Sequence, residues 1–423
     1  MVAWLALPVL ILLQARMMAK LEFCLASQFA ACLCVLAYQD TLLLSVALLS
    51  DLWFCCAVLL TLWLAERATE SGAHWRLAVA AGLAAALAFL ARGAGIVLLP
   101  SVSGVMVLRG RWRNALAFCA VAGPIVAIWS GWSFAHAHPV LDFNDRFYSS
   151  YLHLAREQTL AALFPYLAAR TSEFLLRLGD GLIPGFLPGA ALDWLRCLVG
   201  LLGVAGIVCL CRTGKAWHYA AFASLYAAEF CIFPCQLFSR YVLPVVPLWI
   251  AGILTLTPYL RPAAAGVRPA DRTPRWVRLA LEILTGFYIV QSAGATHDAT
   301  VARRERRALT GAYVWIARNV PPTASVVAFR DPLLYLYTGH HAEGLHSTIG
   351  ENNVSRILHI AELARRRGHR YVLIGPTDPE FDPSVTRAEL SAALESDATC
   401  RRVYSANGAD VYDVTESRSA PPR

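Results

Sequence analysis

Three side chains stand out because their apolar surroundings make them costly. Asp51, preceded by Ser50, lies inside the run Thr41–Leu64, TLLLSVALLSDLWFCCAVLLTLWL. A carboxylate at the centre of a lipid-facing helix costs roughly 2.5–3.5 kcal/mol even on the lenient insertion scale. Asp51 is therefore expected to face a bundle interior or a water-filled cavity, near one end of its span. Two readings compete: an acid satisfied by neighbouring Ser or Thr, and a catalytic or substrate-contacting acid at the membrane surface. Arg92, in LAFLARGAGIVLLP, joins two short apolar runs through Gly93 and Gly95. Glycines there let backbone approach a ligand or a neighbouring helix; the bland alternative is a hairpin turn. Arg240, beside Tyr241, stands just before Pro244 and Pro247 in FSRYVLPVVPLWI. Its guanidinium fork matches a phosphate bidentately, or it snorkels to headgroups.

The elements around them are those of a membrane protein. The chain has 423 residues, 57% hydrophobic and 16% charged, whereas soluble domains carry about 25% charge. Residues 1–294 read as a polytopic transmembrane domain and 295–415 as a soluble domain. Residues 416–423, ESRSAPPR, read as a disordered tail. Ten apolar runs are candidate spans, over about 2–15, 21–38, 41–64, 77–91, 93–108, 115–135, 192–211, 217–236, 241–258 and 277–294. Short spans suit a bundle around a cavity. The first run has neither a charged leader nor a small-residue cleavage site, so it is not a signal peptide. The 12 cysteines have no CxxC spacing, and only Cys400 lies beyond residue 295, so they read as small buried hydrophobes.

The positive-inside rule orients the runs. Arg16 and Lys20 follow the first, Arg67 and Arg76 flank the loop after the third, and Arg109, Arg111 and Arg113 follow the fifth. Arg212 and Lys215 follow the seventh; Arg261, Arg268, Arg272, Arg275 and Arg278 precede the last. With ten crossings all these loops share one side, predicted to be cytoplasmic. The net charge of +8 is thus an orientation signal, and no nucleic acid is expected as a partner. Arg92 and Arg240 fall on the opposite side, against the rule, together with Asp40 and, within two or three turns, Asp51.

Residues 136–190 form the longest connection on that opposite side. Tyr148, Tyr151, Phe164 and Tyr166 suit the headgroup zone, and one or two interfacial helices are predicted around 146–178. Arg170, Glu173 and Arg177 argue against a further crossing there. Asp142 and Asp145 are candidates for the same cavity as Asp40 and Tyr241. His136 and His138 lack acid or Cys partners at ligand spacing, and no metal is expected. The tail alternates helix and strand. Helices are predicted over Glu305–Asn319, DPLLYLYTG, Asn353–Arg367 and 386–395. Strands are predicted at SVVAF (325–329), YVLIG (371–375), CRRVYS and DVYDV, giving a small open sheet with helices. His340, His341 and His346 read as a solvated loop rather than a metal site. No P-loop, GxGxxG, nucleophile elbow or HExxH is present.

In order, Leu49-Ser50-Asp51, LAAALAFLARGAGIVLLP, RWRNALAF, SRYVLPVVPLWI and PPTASVVAFRDPLLYLYTGHHA resemble multi-spanning GT-C glycosyltransferases. The likeness is to the bacterial branch related to aminoarabinose transferases and protein O-mannosyltransferases, and it covers nearly the whole chain. It implies a polytopic all-α bundle of about ten transmembrane helices followed by a small α/β domain outside a bacterial inner membrane. It implies transfer of a sugar from a polyprenyl-phosphate donor to a lipid, glycan or protein acceptor, with no further cofactor assigned and the need for a divalent cation open. By it, Asp51 takes the place of the second acidic motif, and Arg92 and Arg240 take places where basic residues meet the carrier phosphate. Fixed cations stabilise a leaving phosphate, and a carboxylate takes the acceptor's proton. The family begins with a span and an external loop carrying the base Asp. The first residues here resemble its second span, so a fragment, a mis-started reading or a defective enzyme is expected. His340 stands where the family's TGR has Arg. A transporter or flippase of lipid-linked sugars and an inactive structural subunit are the alternatives.

Overall fold

The structure is a computed structural model. It describes residues 2–38, 50–70, 74–135, 160–180, 189–214, 216–232, 239–256, 309–328, 331–344, 359–376 and 386–414, with a few single positions between them. The chain forms two compact units, the first within Met1–Ala295 and the second containing Thr296–Arg423. Each is described by itself.

The first unit is helical. Its described helices are α1 (Val2–Lys20), α2 (Leu25–Ala37), α3 (Asp51–Ala68), α4 (Trp75–Ala91), α5 (Leu98–Leu108) and α6 (Trp112–Ala135). They continue with α7 (Leu160–Gly179), α8 (Ala190–Arg212), α9 (Trp217–Ile232), α10 (Ser239–Val242) and α11 (Val246–Thr255). Two depart from the sequence expectation. The apolar run Thr41–Leu64 is not one helix: Asp51 opens α3. The carboxylate therefore sits at a helix N-terminus, where the dipole favours negative charge. The run 241–258 is broken into α10 and α11, because Pro244 and Pro247 lack the N–H groups a continuous helix needs. Turn bonds bridge the gap, Val245 N–H to Val242 O at 2.9 Å and Val246 N–H to Leu243 O at 3.2 Å. The 277–294 run apart from Gly286 and Val290, together with Asp40, Asp142, Asp145, His136, His138, His346 and the 416–423 tail, lies outside the described residues.

Among the described residues two helices, α6 and α8, are long and apolar enough to cross a membrane; α4 and α11 are apolar but shorter. On α6 only Ala115, Phe118, Ala122 and Val126 are buried. Leu116, Ile128, Trp129, Trp132 and Phe134 point outward, the reverse of a soluble helix. Trp112 marks one end of α6 and the Trp129–Trp132 stack, with ring centroids 5.3 Å apart, the other. Seventeen to twenty residues at 1.5 Å each separate these rings by about 26–30 Å, the thickness of a hydrocarbon core with aromatic belts. Among the described residues of the predicted interfacial segment lies one long helix, α7, the most amphipathic described in the unit. Arg170 pairs with Glu173 at 2.7 Å along it.

Small residues set the closest helix contacts. Gly200, Gly203 and Gly206 recur every three residues along α8. Gly203 lies under the Trp249 ring of α11, and Gly206 lies against the Gly252 backbone. Trp249 is fully buried, and its indole N–H donates to Gly200 O at 3.2 Å. This is small-residue packing of the kind that lets backbones approach where no hydrophobic drive exists between helices.

Ionic contacts gather the basic loops at one end of the unit. Lys20 pairs with Glu70. Arg109 reaches Glu66 at 3.2 Å and Gly214 O at 2.6 Å. Asn114 donates to Ala68 O at 2.7 Å, and His218 faces Glu66 at 3.0 Å.

The second unit is an α/β sandwich. Its described elements are α12 (309–319), β1 (Val326–Ala328), α13 (Asp331–Thr338), β2 (Ala342–Gly344), α14 (Ile360–Arg366), β3 (Tyr371–Ile374), α15 (Arg387–Ser396), β4 (Arg401–Ala406) and β5 (Ala409–Asp413). The sheet order is β2-β1-β3-β5-β4, parallel through the first three strands and antiparallel beyond. Alternate residues feed two cores. Val326, Ala328, Tyr371 and Leu373 meet α12 and α13, while Val327, Val372 and Ile374 meet α14 and α15. Asn407 and Gly408, both with positive φ (52° and 81°), close the β4–β5 hairpin, the backbone twist such a turn needs. Thr386 and Glu389 form a capping box at the start of α15. The four strands and the α13 and α15 helices expected from the sequence are present, and β2 is additional. Gly339, at φ 71°, ends α13. Of the histidines after it, His340 departs from the expected solvated loop: it is buried, and both its ring nitrogens lie against backbone carbonyls, of Thr338 at 3.2 Å and Val320 at 3.0 Å, whereas His341 is exposed.

Two predictions follow from this packing. Gly206→Leu forces a side chain into the Gly252 backbone and is expected to cost about 1–3 kcal/mol. A lowered melting temperature of the detergent-solubilised chain reads this out, with Gly104→Ala, which points into open space, as the silent control. In the sheet, burial raises the Glu343 carboxyl, but hydrogen bonds and charge from His369 and Arg367 outweigh it and hold the pKa at about 2. A depressed carboxylate stabilises the fold above its unfolded pKa and ceases to as pH falls through about 4.5 toward 2. Discounted for solvent access, the loss is on the order of 1–2 kcal/mol. Pulse proteolysis of the second unit in urea at pH 7, 5 and 3 measures it, and Glu343→Gln flattens the profile.

Candidate functional site

The site lies at the end of the first unit opposite the Glu66–Arg109 cluster. Asp51 and Glu66 are the two markers on α3, fifteen residues and so about 22 Å apart. Asp51 is 4% exposed. Ser50 does not cap its own helix; its hydroxyl donates to Ala91 O at 3.0 Å. That bond joins the start of α3 to the end of α4, where Arg92 follows in extended conformation (φ −152°). Arg92 then turns back, and its Nη1 pairs with Asp51 Oδ1. The chain can reverse here because of Gly95. A Cβ at that position would lie 2.6 Å from Phe89 N and 2.7 Å from Ala88 C. Gly93, by contrast, has open space around it, so only one of the two glycines is required by a close approach.

The third component comes from the short α10. The Arg92 guanidinium lies over the Tyr241 ring, 4.7 Å from Cζ to centroid, and the Arg240 guanidinium lies 5.1 Å from the same centroid. Arg240 Nη2 also donates to the Tyr241 hydroxyl at 3.3 Å. Tyr241 is held from behind by α9: Tyr226 donates to its backbone oxygen at 2.9 Å, and Phe230 stacks on its ring at 5.4 Å. Phe54 of α3 lies 6.3 Å from Tyr226, so the aromatic column returns to the helix that Asp51 opens. Cation–π contacts of this kind contribute about 0.5–2 kcal/mol each.

The structure thus brings Asp51, Arg92, Tyr241 and Arg240 into one cluster. Asp40, Asp142 and Asp145 lie outside the described residues. Two guanidinium groups within about 5 Å of one ring centroid, one of them bonded to a carboxylate, are groups suited to accept an anion. Among the described residues no group of three His, Cys, Asp or Glu side chains is arranged to hold a metal.

One buried acid near the cluster was not singled out from the sequence: Glu229 lies on α9 three residues after Tyr226, and its Oε2 is buried. It is an acid in the apolar helix WHYAAFASLYAAEFCI. The criterion that flagged Asp51, an acid inside an apolar run, applies to it equally.

No protein-family model matches the sequence, and no curated protein matches it. Solved structures do match. The crystal structure of ArnT from Cupriavidus metallidurans bound to undecaprenyl phosphate superimposes with a TM-score of 0.52 at 16% identity, covering 99% of this chain and 85% of ArnT. The apo state of the same protein matches with a TM-score of 0.46 at 15% identity, covering 99% and 84%. A mycobacterial arabinofuranosyltransferase, AftD, matches with a TM-score of 0.42 at 16% identity, covering 97% of this chain and 34% of AftD. Over nearly its whole length, the chain shares the fold of ArnT.

Proposed function

We propose that the chain transfers a sugar from a polyprenyl-phosphate donor to a lipid, glycan or protein acceptor at the exoplasmic face of a bacterial plasma membrane. The observation that carries this reading is the meeting of Asp51, Arg92 and Arg240 around Tyr241. It occurs in a chain with the fold of a protein crystallised with undecaprenyl phosphate. The basic loops at the other end of the unit face the cytoplasm by the positive-inside rule, which leaves this cluster on the outer side. The apolar runs, about ten by sequence, cross the membrane, and the breaks at Arg92–Gly95 and Leu243–Val245 lie where a substrate cavity tolerates irregular backbone.

Each residue has a role in the proposal. Arg240 and Arg92 hold the donor phosphate and stabilise the charge that grows on it as the sugar leaves. Asp51 fixes the Arg92 fork through a charge-assisted pair and the favourable helix start. Tyr241 spaces the two guanidinium groups. The alternative is a flippase of lipid-linked sugars, which needs the same anion site but breaks no bond.

The test is release of undecaprenyl phosphate from labelled undecaprenyl-phosphoryl pentoses and hexoses in membranes bearing the protein. Arg240→Ala and Arg92→Ala are expected to lower the rate about 10²–10³-fold, and Arg92→Lys not to restore it, because an ammonium cannot reproduce the fork. Asp51→Asn is expected to fall in the same range by releasing Arg92. Movement of the intact donor across proteoliposomes with no bond broken overturns the proposal.

A further inference from the structure

We propose that the second unit docks on the headgroup layer of the membrane that carries the chain, through an exposed aromatic ledge on α13. The proposal does not depend on the transferase reading; it needs only that the first unit spans a bilayer. Tyr335, Leu336 and Tyr337 are 63%, 65% and 67% exposed. Of the described side chains of α13, only Leu334 is fully buried. Three consecutive residues span about 200° of a helix. The ledge is therefore a whole apolar turn facing outward, wider than the edge of a buried stripe.

The exposed apolar surface of the unit is concentrated there. Among its described residues, the other large apolar side chain left exposed is Val314, on α12. Tyr313, the residue before it, stacks on Tyr337 with ring centroids 5.7 Å and planes 14° apart. All four exposed side chains thus lie on two helices joined by one ring contact. On the other face of the sheet, α14 and α15 expose no large apolar side chain among the described residues. Single exposed apolar residues are ordinary on a soluble surface, whereas a gathered patch marks a contact.

The chemistry of the patch selects its occupant. Tyrosine joins an apolar ring to a hydroxyl, the combination enriched where hydrocarbon meets water. The chain supplies proximity. The last apolar run ends at 294 and α12 starts at 309. The residues between, at no more than about 3.6 Å each, keep the start of α12 within about 50 Å of the bilayer. Those residues also supply charge. They include ARRERR, 302–307, four arginines and one glutamate that lead into α12 six residues before Tyr313. Such a run complements phosphate headgroups. A tether makes docking an intramolecular event, so a ledge of a few side chains suffices.

The test uses the full chain in nanodiscs of phosphatidylethanolamine and phosphatidylglycerol. Photoreactive benzoylphenylalanine replaces Leu336, and the adducts are read by mass spectrometry. Two further positions set the scale. Leu201, outward on α8, stands for a lipid-facing site, and Arg366, its side chain 72% exposed on α14, for a water-facing one. Position 336 is expected to give phospholipid adducts within about threefold of the yield at 201 and at least about tenfold above that at 366. Adding Tyr335→Ser and Tyr337→Ser is expected to lower the yield at 336 at least about fivefold, because the ring anchors are lost. A yield at 336 no higher than at 366 overturns the proposal. Adducts with this chain or with a second copy in place of lipid also overturn it. So does a yield that the two tyrosine substitutions leave unchanged, since the probe alone is then the anchor.

Discussion

The ion pair between Asp51 and Arg92 is the constraint on which the first unit's upper end depends. Neither partner is tolerable alone where it stands. Asp51 is almost fully buried, and breaking a buried pair by removing one partner costs about 3–5 kcal/mol because the other is left uncompensated. The backbone is built to make the pair. Ser50 bonds across to Ala91, Gly95 permits the close reversal after α4, and Asp51 lies at the end of a helix whose dipole already favours an anion. Three independent local features agree on one placement of one guanidinium.

That agreement explains which parts of the molecule were legible from sequence. Asp51, Arg92 and Arg240 stood out because charge in apolar sequence is expensive, and the two arginines also break the orientation bias. The strands of the α/β unit were legible because short β-branched and aromatic runs between turn signals leave few alternatives, and Gly339 and Thr386 mark helix ends directly. What was not legible depended on geometry rather than on composition. The run Thr41–Leu64 has one hydropathy but not one helix, since hydropathy does not show where Asp51 will find a helix start. The break between α10 and α11 follows from two prolines whose combined effect is larger than a start-of-helix reading allows. β2 has only three residues, Ala342–Gly344, too few to alternate, and it is defined by pairing with β1. Glu229 met the same criterion as Asp51 but sits in a helix with no glycine or proline to draw attention.

The small residues of α8 matter to the site although they do not touch it. α11 follows α10 after a three-residue turn, and α11 is seated by Gly203 and Gly206 under Trp249 and Gly252. The position of the Tyr241 ring is thereby tied at both ends, to α8 through α11 and to α9 through Tyr226 and Phe230. A surface that must hold two guanidinium groups against one ring needs such rigidity, because their repulsion would otherwise separate them.

The charge count gives the cluster its chemical preference. Arg92 and Arg240 bring two guanidinium groups, and Asp51 brings one carboxylate, bonded to Arg92. Charge is unevenly placed: Asp51 is bonded to Arg92, while Arg240 is directed to the hydroxyl and face of Tyr241. An incoming phosphodiester would meet Arg240 first and share Arg92 with Asp51. A group that gains a second negative charge as its ester bond breaks would be held more tightly at that moment than before. Stronger binding of the leaving group than of the intact donor is the condition for accelerating transfer rather than merely binding a lipid.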